Sequence, residues 1–308
     1  MRLQIAFNAP RAGINFNDGF GGGTNVTRNL IYNQCRESGD HGAMNAWDRT
    51  AYISDVKYGT PSYEAQMNSV NNNFIIANYG ASQGFDTDDG SSWYDIHDNF
   101  FFMADGKNTR MLLYFKVASF HKFRVFRIFV LNSRVLSAWK MDYGGHDSRF
   151  TGNVIYIAHK DGQNCFNSWP MLPGHGTVWS GNKCILQTSL NLGNPGDGIV
   201  PALHCPGPAE TVVPWNKSET TTDTWRAECG LTLEDNEYYT SNVSGTTVNA
   251  DCPESPPGSN NCGNRRGMVQ PTFAEWTGKY WNDKGSTLSP LPTDAQLLAW
   301  AREKLGME

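Results

Sequence analysis

The feature that most narrows the fold is a repeated strand-like block in which asparagine precedes three mostly apolar residues. It occurs as Asn29-Leu30-Ile31-Tyr32, Asn73-Phe74-Ile75-Ile76, Asn99-Phe100-Phe101-Phe102, Asn153-Val154-Ile155-Tyr156 and Asn182-Lys183-Cys184-Ile185. Between these blocks runs a second phrase, rich in glycine and acid, at 12–19, 39–45, 83–90 and 142–147. Repetition at a regular spacing sets the architecture before composition is consulted. Two alternating strand types describe the rungs of a solenoid.

The asparagines are 44, 26, 54 and 29 residues apart, which reads as one or two turns of about 22 to 29 residues. Three short strands and three bends fill such a turn, each strand lying on its equivalent in the next. Helical repeats fit poorly, because the blocks are rich in Val, Ile, Phe and Tyr and are bounded by Gly, Asp and Asn. An asparagine at a bend tolerates the left-handed conformation, and stacked copies ladder their amides. The fold expected is an all-β, right-handed parallel β-helix over residues 1–204. A loop-rich region follows at 205–308, and a terminal helix at 293–305.

The chain has 308 residues, 31 glycines, 12% aromatic and 18% charged side chains, enough for one elongated domain. A net charge of -5 argues against nucleic acid or an anionic membrane as the main partner. Of seven cysteines, Cys165, Cys184, Cys205, Cys229, Cys252 and Cys262 lie in the second half without paired CxxC clusters. They read as disulfides of an oxidising compartment, and Cys35 as a buried free thiol. Sequons at Asn25, Asn216 and Asn242 agree with an extracellular or cell-surface location. With no signal peptide and a first rung already at 4–11, the chain reads as an N-terminally truncated fragment.

Residues 111–140 contain no acid, glycine or proline and carry six Lys or Arg. Removing about 27 residues from the interval between Asn99 and Asn153 restores a single rung. The stretch therefore reads as an aberrant insertion or a long lateral loop, against a basic amphipathic segment that binds a membrane or an acidic partner. On the first reading, deleting 115–140 preserves stability.

Four runs carry a resemblance: Pro10-Arg11-Ala12-Gly13-Ile14-Asn15-Phe16-Asn17-Asp18-Gly19, Cys35-Arg36-Glu37-Ser38-Gly39-Asp40-His41-Gly42-Ala43, Asp88-Asp89-Gly90-Ser91-Ser92 and Asp142-Tyr143-Gly144-Gly145-His146-Asp147. Over residues 4 to 200 the chain resembles the right-handed parallel β-helix repeat proteins of microbial eukaryotes and bacteria, placed by similarity in the pectate-lyase-like superfamily of carbohydrate-active enzymes. The phrases at Asp40 and Asp88 are similar to those of β-helix glycoside hydrolases. The resemblance implies a polysaccharide as partner.

Chemistry follows from strand geometry. If Phe85 and Thr87 point inward, Asp86 and Asp88 point outward, and stacked rungs bring Asp40, Asn45, Asp88 and His146 toward one wall. A glycosidase needs two carboxylates about 5 Å apart for retention, or roughly 6.5 to 9.5 Å apart for inversion. The candidate catalytic residues are Asp40, Asp88, Asp89 and His146. His41, Asn45, Trp47, Arg49, Asp86, Trp93 and Asp147 are candidate substrate-binding residues, because sugars stack on aromatic faces and bond to charged groups. Acids at solenoid bends also serve as turn formers. Three readings stay open: a monomeric glycoside hydrolase, a non-catalytic wall or adhesion protein, and a lyase or epimerase. The last would hold calcium on Asp86, Asp88, Asp89 and Asp95, with Arg49 or Arg149 as base. Three histidines, His41, His97 and His146, lack a diagnostic zinc spacing. No other cofactor is expected.

At the C-terminus, Thr293 and Gln296 form a capping box. Leu297, Leu298, Trp300, Ala301 and Leu305 follow on one side, and Gly306 closes the helix.

Overall fold

The structure is a computed structural model that describes residues 2–16, 22–38, 41–47, 54–55, 60–61, 66–76, 79, 81, 83–88, 91–103, 136–141, 147–157, 163–168, 177–186, 231–244, 272–275, 277 and 283–307. Short strands stack into three all-parallel sheets of five, six and eight strands. Each complete coil passes through all three: Gln83–Asp88 lies in the five-stranded sheet, Tyr94–His97 in the six-stranded and Phe100–Met103 in the eight-stranded. A separate antiparallel pair joins Ser54–Asp55 to Thr60–Pro61. The molecule is a parallel β-helix. Among the described residues no helix is long and apolar enough to cross a membrane.

The repeated asparagines sit at the bend between the six- and eight-stranded sheets, where they form one continuous buried ladder. Nδ2 of Asn29, Asn73, Asn99, Asn153 and Asn182 donates to Oδ1 of the asparagine in the following coil, over 2.9 to 3.3 Å. The same Oδ1 accepts the backbone N–H of the preceding asparagine, and Nδ2 also donates to a backbone carbonyl such as Val26 O or Val70 O. Buried amides satisfied in this way stabilise the bend, whereas unsatisfied ones would oppose it. The ladder gains a member that the sequence pattern does not reveal, Asn236, and ends on buried Asp283, which accepts from Asn236 Nδ2 at 3.3 Å and from the Tyr238 hydroxyl at 3.1 Å.

The left-handed residue at this bend is not the asparagine but the residue before it. Arg28, Asn72, Asp98, Gly152, Gly181 and Asp235 have φ between 52° and 63°. The side chain of the asparagine is thereby freed for the ladder, while Gly, Asn or Asp supplies the turn in five of six cases.

Every asparagine interval is a single coil, including those of 44 and 54 residues. The excess lies in the connections: residues 8–13, 33–41, 77–82 and 158–162 lead from the eight-stranded to the five-stranded sheet, whereas 104–135 do so in the 54-residue interval after Asn99, and in the 44-residue interval residues 48–67 lengthen the passage from the five-stranded to the six-stranded sheet. The expected insertion at 111–140 is corrected at its end. Leu136–Met141 is a strand of the five-stranded sheet, paired on both sides, with Ala138, Trp139 and Met141 buried. Residues 111–135 lie outside the described part. The boundary at 204 is likewise passed, since Leu231–Glu234, Glu237–Thr240 and Thr287–Pro290 extend the stacked sheets. Glu237 breaks the apolar pattern after Asn236, which hid this coil.

The interior is a single core along the solenoid axis, with Trp139, Phe150, Phe166 and Trp179 stacked at centroid distances of 4.7 to 6.3 Å. A disulfide joins Cys165 of the five-stranded sheet to Cys184 of the eight-stranded sheet, with Cα atoms 6.0 Å apart. Cys35 is buried and outside any disulfide among the described residues, with its Sγ donating to His41 O at 3.3 Å and Gly42 O at 3.4 Å. The helix Asp294–Leu305 has the capping box of Thr293 and Gln296 and the left-handed Gly306 cap. Its Leu297, Trp300 and Ala301 cover the outer face of the eight-stranded sheet around Phe100, Val154 and Ile185. Leu298, placed with them by the sequence, is 54% exposed.

Candidate functional site

Sheet register places the acidic phrase. On the five-stranded sheet Asn15, Asn45, Asp86, Lys140 and Asn167 are aligned in successive coils, and Trp47 is aligned with Asp88 two residues further on. Phe85 and Thr87 face the interior as expected, with the Thr87 hydroxyl accepting from Trp139 Nε1 at 3.0 Å and donating to Lys140 O at 2.6 Å. Asp86 and Asp88 share the Lys140 ammonium, whose Nζ lies 3.2 Å from Asp86 Oδ1 and 3.3 Å from Asp88 Oδ1. Asp86 is wholly buried, while the Asp88 side chain keeps a quarter of its surface. The ion pair offsets the cost of removing Asp86 from water. Asp88 is the carboxylate that solvent can reach.

Beside this pair, the Arg11 guanidinium lies 5.6 Å above the Trp47 ring and donates through Nε to His41 Nε2 at 2.8 Å. Because Arg can only donate, Nε2 of His41 is the acceptor and Nδ1 carries the proton, 3.1 Å from Ser38 Oγ. His41 is buried, as is Asn45, whose Nδ2 reaches Asn15 Oδ1 at 3.4 Å while its Oδ1 has no hydrogen-bond partner among the described residues. Gly42 is required here by close approach: a Cβ would stand 2.8 Å from the Asp86 backbone nitrogen.

The remaining candidates separate. Trp93 (φ 68°) and Asp147 (φ 49°) occupy equivalent positions one coil apart, both left-handed at the bend entering the six-stranded sheet. Their described role is to turn the chain. Asp40, Arg49, Asp89 and His146 lie outside the described residues. Calcium does not fit the donors that are described, because Lys140 stands between Asp86 and Asp88 and Asp95 belongs to the six-stranded sheet. Among the described residues no group of three or more His, Cys, Asp or Glu is arranged to hold a metal.

Sequence reasoning missed Lys140, Arg11 and Ser38. Lys140 had a usable signal: Trp139-Lys140-Met141-Asp142 repeats the spacing of Phe85-Asp86-Thr87-Asp88 and Met44-Asn45-Ala46-Trp47, but the anomalous composition upstream concealed it. Among the described residues a concave surface lies on the neighbouring sheet. Asp95, His97, Asp98, Arg149, Thr151 and Ser180 help to line a groove of about 650 Å³ on the outer face of the six-stranded sheet.

Three stacked parallel sheets, one coil per asparagine and two polar outer faces define the class as a parallel β-helix. Compared with protein-family models, curated proteins and solved structures, the chain matches none of them.

Proposed function

We propose that the protein acts on a polysaccharide at the outer face of the five-stranded sheet, as a glycoside hydrolase with Asp88 as one carboxylate of the pair. The observation that carries this reading is the accessible Asp88 beside buried Asp86, held by one shared lysine and neighboured by Trp47 and Arg11. An aromatic face and a guanidinium grip a sugar, and a carboxylate beside them serves as nucleophile or base. The second carboxylate is assigned to Asp40 or Asp89, with His146 assisting. The resemblance to carbohydrate-active right-handed β-helices points the same way, as do the sequons of a secreted protein.

A glycan-binding protein without turnover is the second reading, and the burial of Asp86 favours it, because that acid has no path to a substrate. The full chain is to be incubated with fucosides, xylans and uronic-acid polymers, alongside Asp40→Asn, Asp88→Asn and Asp89→Asn variants. Asp88→Asn and one of the other two are expected to cut turnover by about a hundredfold or more. Melting temperatures are expected to hold, since Asn keeps the turn bonds of Asp. Binding without cleavage would establish the second reading, and neither binding nor cleavage would sink both.

A further inference from the structure

The outer face of the six-stranded sheet carries a different constellation. In register, Ser69 stands beside Asp95 and Asn71 beside His97 in the following coil. The His97 ring reaches back across the sheet, with Nε2 3.5 Å from Ser69 Oγ, while Nδ1 lies 3.0 Å from Asp98 Oδ2. An ionised carboxylate only accepts, so Nδ1 carries the proton, and in the neutral ring the Nε2 lone pair faces the serine hydroxyl. Ser69 Oγ accepts from Asn71 Nδ2 at 2.8 Å, which leaves its own hydrogen to be donated toward the imidazole.

Asp98 is fixed from its other side by Lys304 Nζ at 2.7 Å, and Gly152 leaves room for its carboxylate, as a Cβ there would stand 3.1 Å from Oδ1. Burial opposes its ionisation, but the hydrogen bonds from Lys304 and His97 and the charge of Lys304 prevail and hold its carboxyl below the ordinary value. His97 is 32% exposed and lines the groove together with Arg149 and Ser180. The imidazole and the carboxylate line the groove, and the hydroxyl stands on the preceding strand beside the imidazole; in this order the three form a nucleophile, a base and a group that orients the base. The 3.5 Å separation is long for a formed bond, and catalytic bonds of this kind tighten when substrate arrives.

We propose that Ser69, His97 and Asp98 form a triad that hydrolyses small acyl esters, a second activity on a sheet separate from the carboxylate pair and independent of it. Ser69 Oγ bonds to the ester carbonyl carbon as its proton passes to His97 Nε2. The carbon–oxygen bond to the alcohol then breaks, and the alcohol leaves with that proton. Water next attacks the acyl-serine and gives a proton to His97. That proton returns to Ser69 Oγ as the carboxylic acid departs. The Asn71 amide, already beside Oγ, is the side-chain donor placed to meet the oxyanion. Asp98 is a positioning residue.

The full chain is tested with 4-nitrophenyl acetate and with a fluorophosphonate that labels activated serines. Expected results are a single label on Ser69, found by peptide mass, and hydrolysis reduced by about a hundredfold or more in Ser69→Ala and His97→Gln. Asp98→Asn is expected to lower kcat by about tenfold or more while KM changes less than about twofold, a split that a purely structural role would not produce. Absence of label on Ser69 in the wild-type chain, which requires no variant to fold, overturns the proposal. Hydrolysis by Ser69→Ala at the wild-type rate overturns it equally.

Discussion

At the scale of single residues, the asparagine ladder shows why one amide is not exchangeable for its nearest relatives. Asn153 accepts two bonds from Asn99 and donates to Ile96 O, Thr151 O and Asn182 Oδ1, all in the interior. Asn153→Ala leaves several buried groups without partners, and we expect a loss of about 3 kcal/mol or more in chemical denaturation. Asn153→Asp keeps the shape but cannot donate and buries a charge, so it is expected to be no better at neutral pH. A variant with wild-type stability would mean the ladder is decorative. The ladder itself was legible, because the asparagines recur with apolar residues behind them. Its left-handed position was not, since asparagine and the residue before it both tolerate that conformation. The triad was hidden for another reason: Ser69 and His97 are 28 residues apart in sequence, and only sheet register brings them together.

At the scale of elements, the C-terminal helix is held by apolar contacts and two cationic anchors. Lys304 meets Asp98, and Lys183 lies 5.0 Å above the Trp300 ring while pairing with Glu237. Burial opposes ionisation of Asp98 and Glu237, yet hydrogen bonds from Lys304 and His97 in one case, and from Lys183 and Tyr239 in the other, hold both below their ordinary values of 3.8 and 4.5. A carboxylate with a lowered folded-state value contributes stability that is complete above its unfolded value and lost as pH falls through the folded one. The gap in melting temperature between wild type and Lys304→Met is therefore expected to be present at pH 7 and to close as pH drops below the ordinary value of Asp98. A gap that persists unchanged into strong acid would assign the effect to the lysine stem. Removing the cap with Thr293→Ala is expected to cost about 1 kcal/mol. This helix was readable in full because its signals are local. Which side it buries depends on the sheet beneath it, and Leu298 fell on the wrong side.

At the scale of the whole molecule, coil length is set by the connections. Residues 33–41, 77–82 and 158–162 show that fewer than ten residues suffice to lead from the eight-stranded to the five-stranded sheet. Excising 107–132, which leaves six residues between Met103 and Leu136, is expected to keep the cooperative melting transition and the β-type circular dichroism spectrum. Extending the cut through Leu136–Met141 removes Trp139 from the core stack and Lys140 from Asp86, and is expected to abolish folding. If the shorter cut also unfolds the chain, residues 107–132 contribute to the core. The solenoid was legible from periodicity alone. The carboxylate site was legible in part, because alternation along a strand gives the side on which Asp86 and Asp88 project but not what covers them.

The ladder also has a direction. Each amide hands a proton toward the next coil and turns its oxygen toward the previous one, so the side-chain dipoles add head to tail along the solenoid as peptide dipoles add along a helix. The positive end of that column falls at Asn236 Nδ2, and there the sequence changes from an amide to the Asp283 carboxylate, a group that only accepts. A negative group at the positive end of an aligned column is the counterpart of an acidic helix N-terminus, built here from side chains. Another coil can be spliced between any two asparagines without reversing the column, but stacking one beyond Asp283 would first require a donor there.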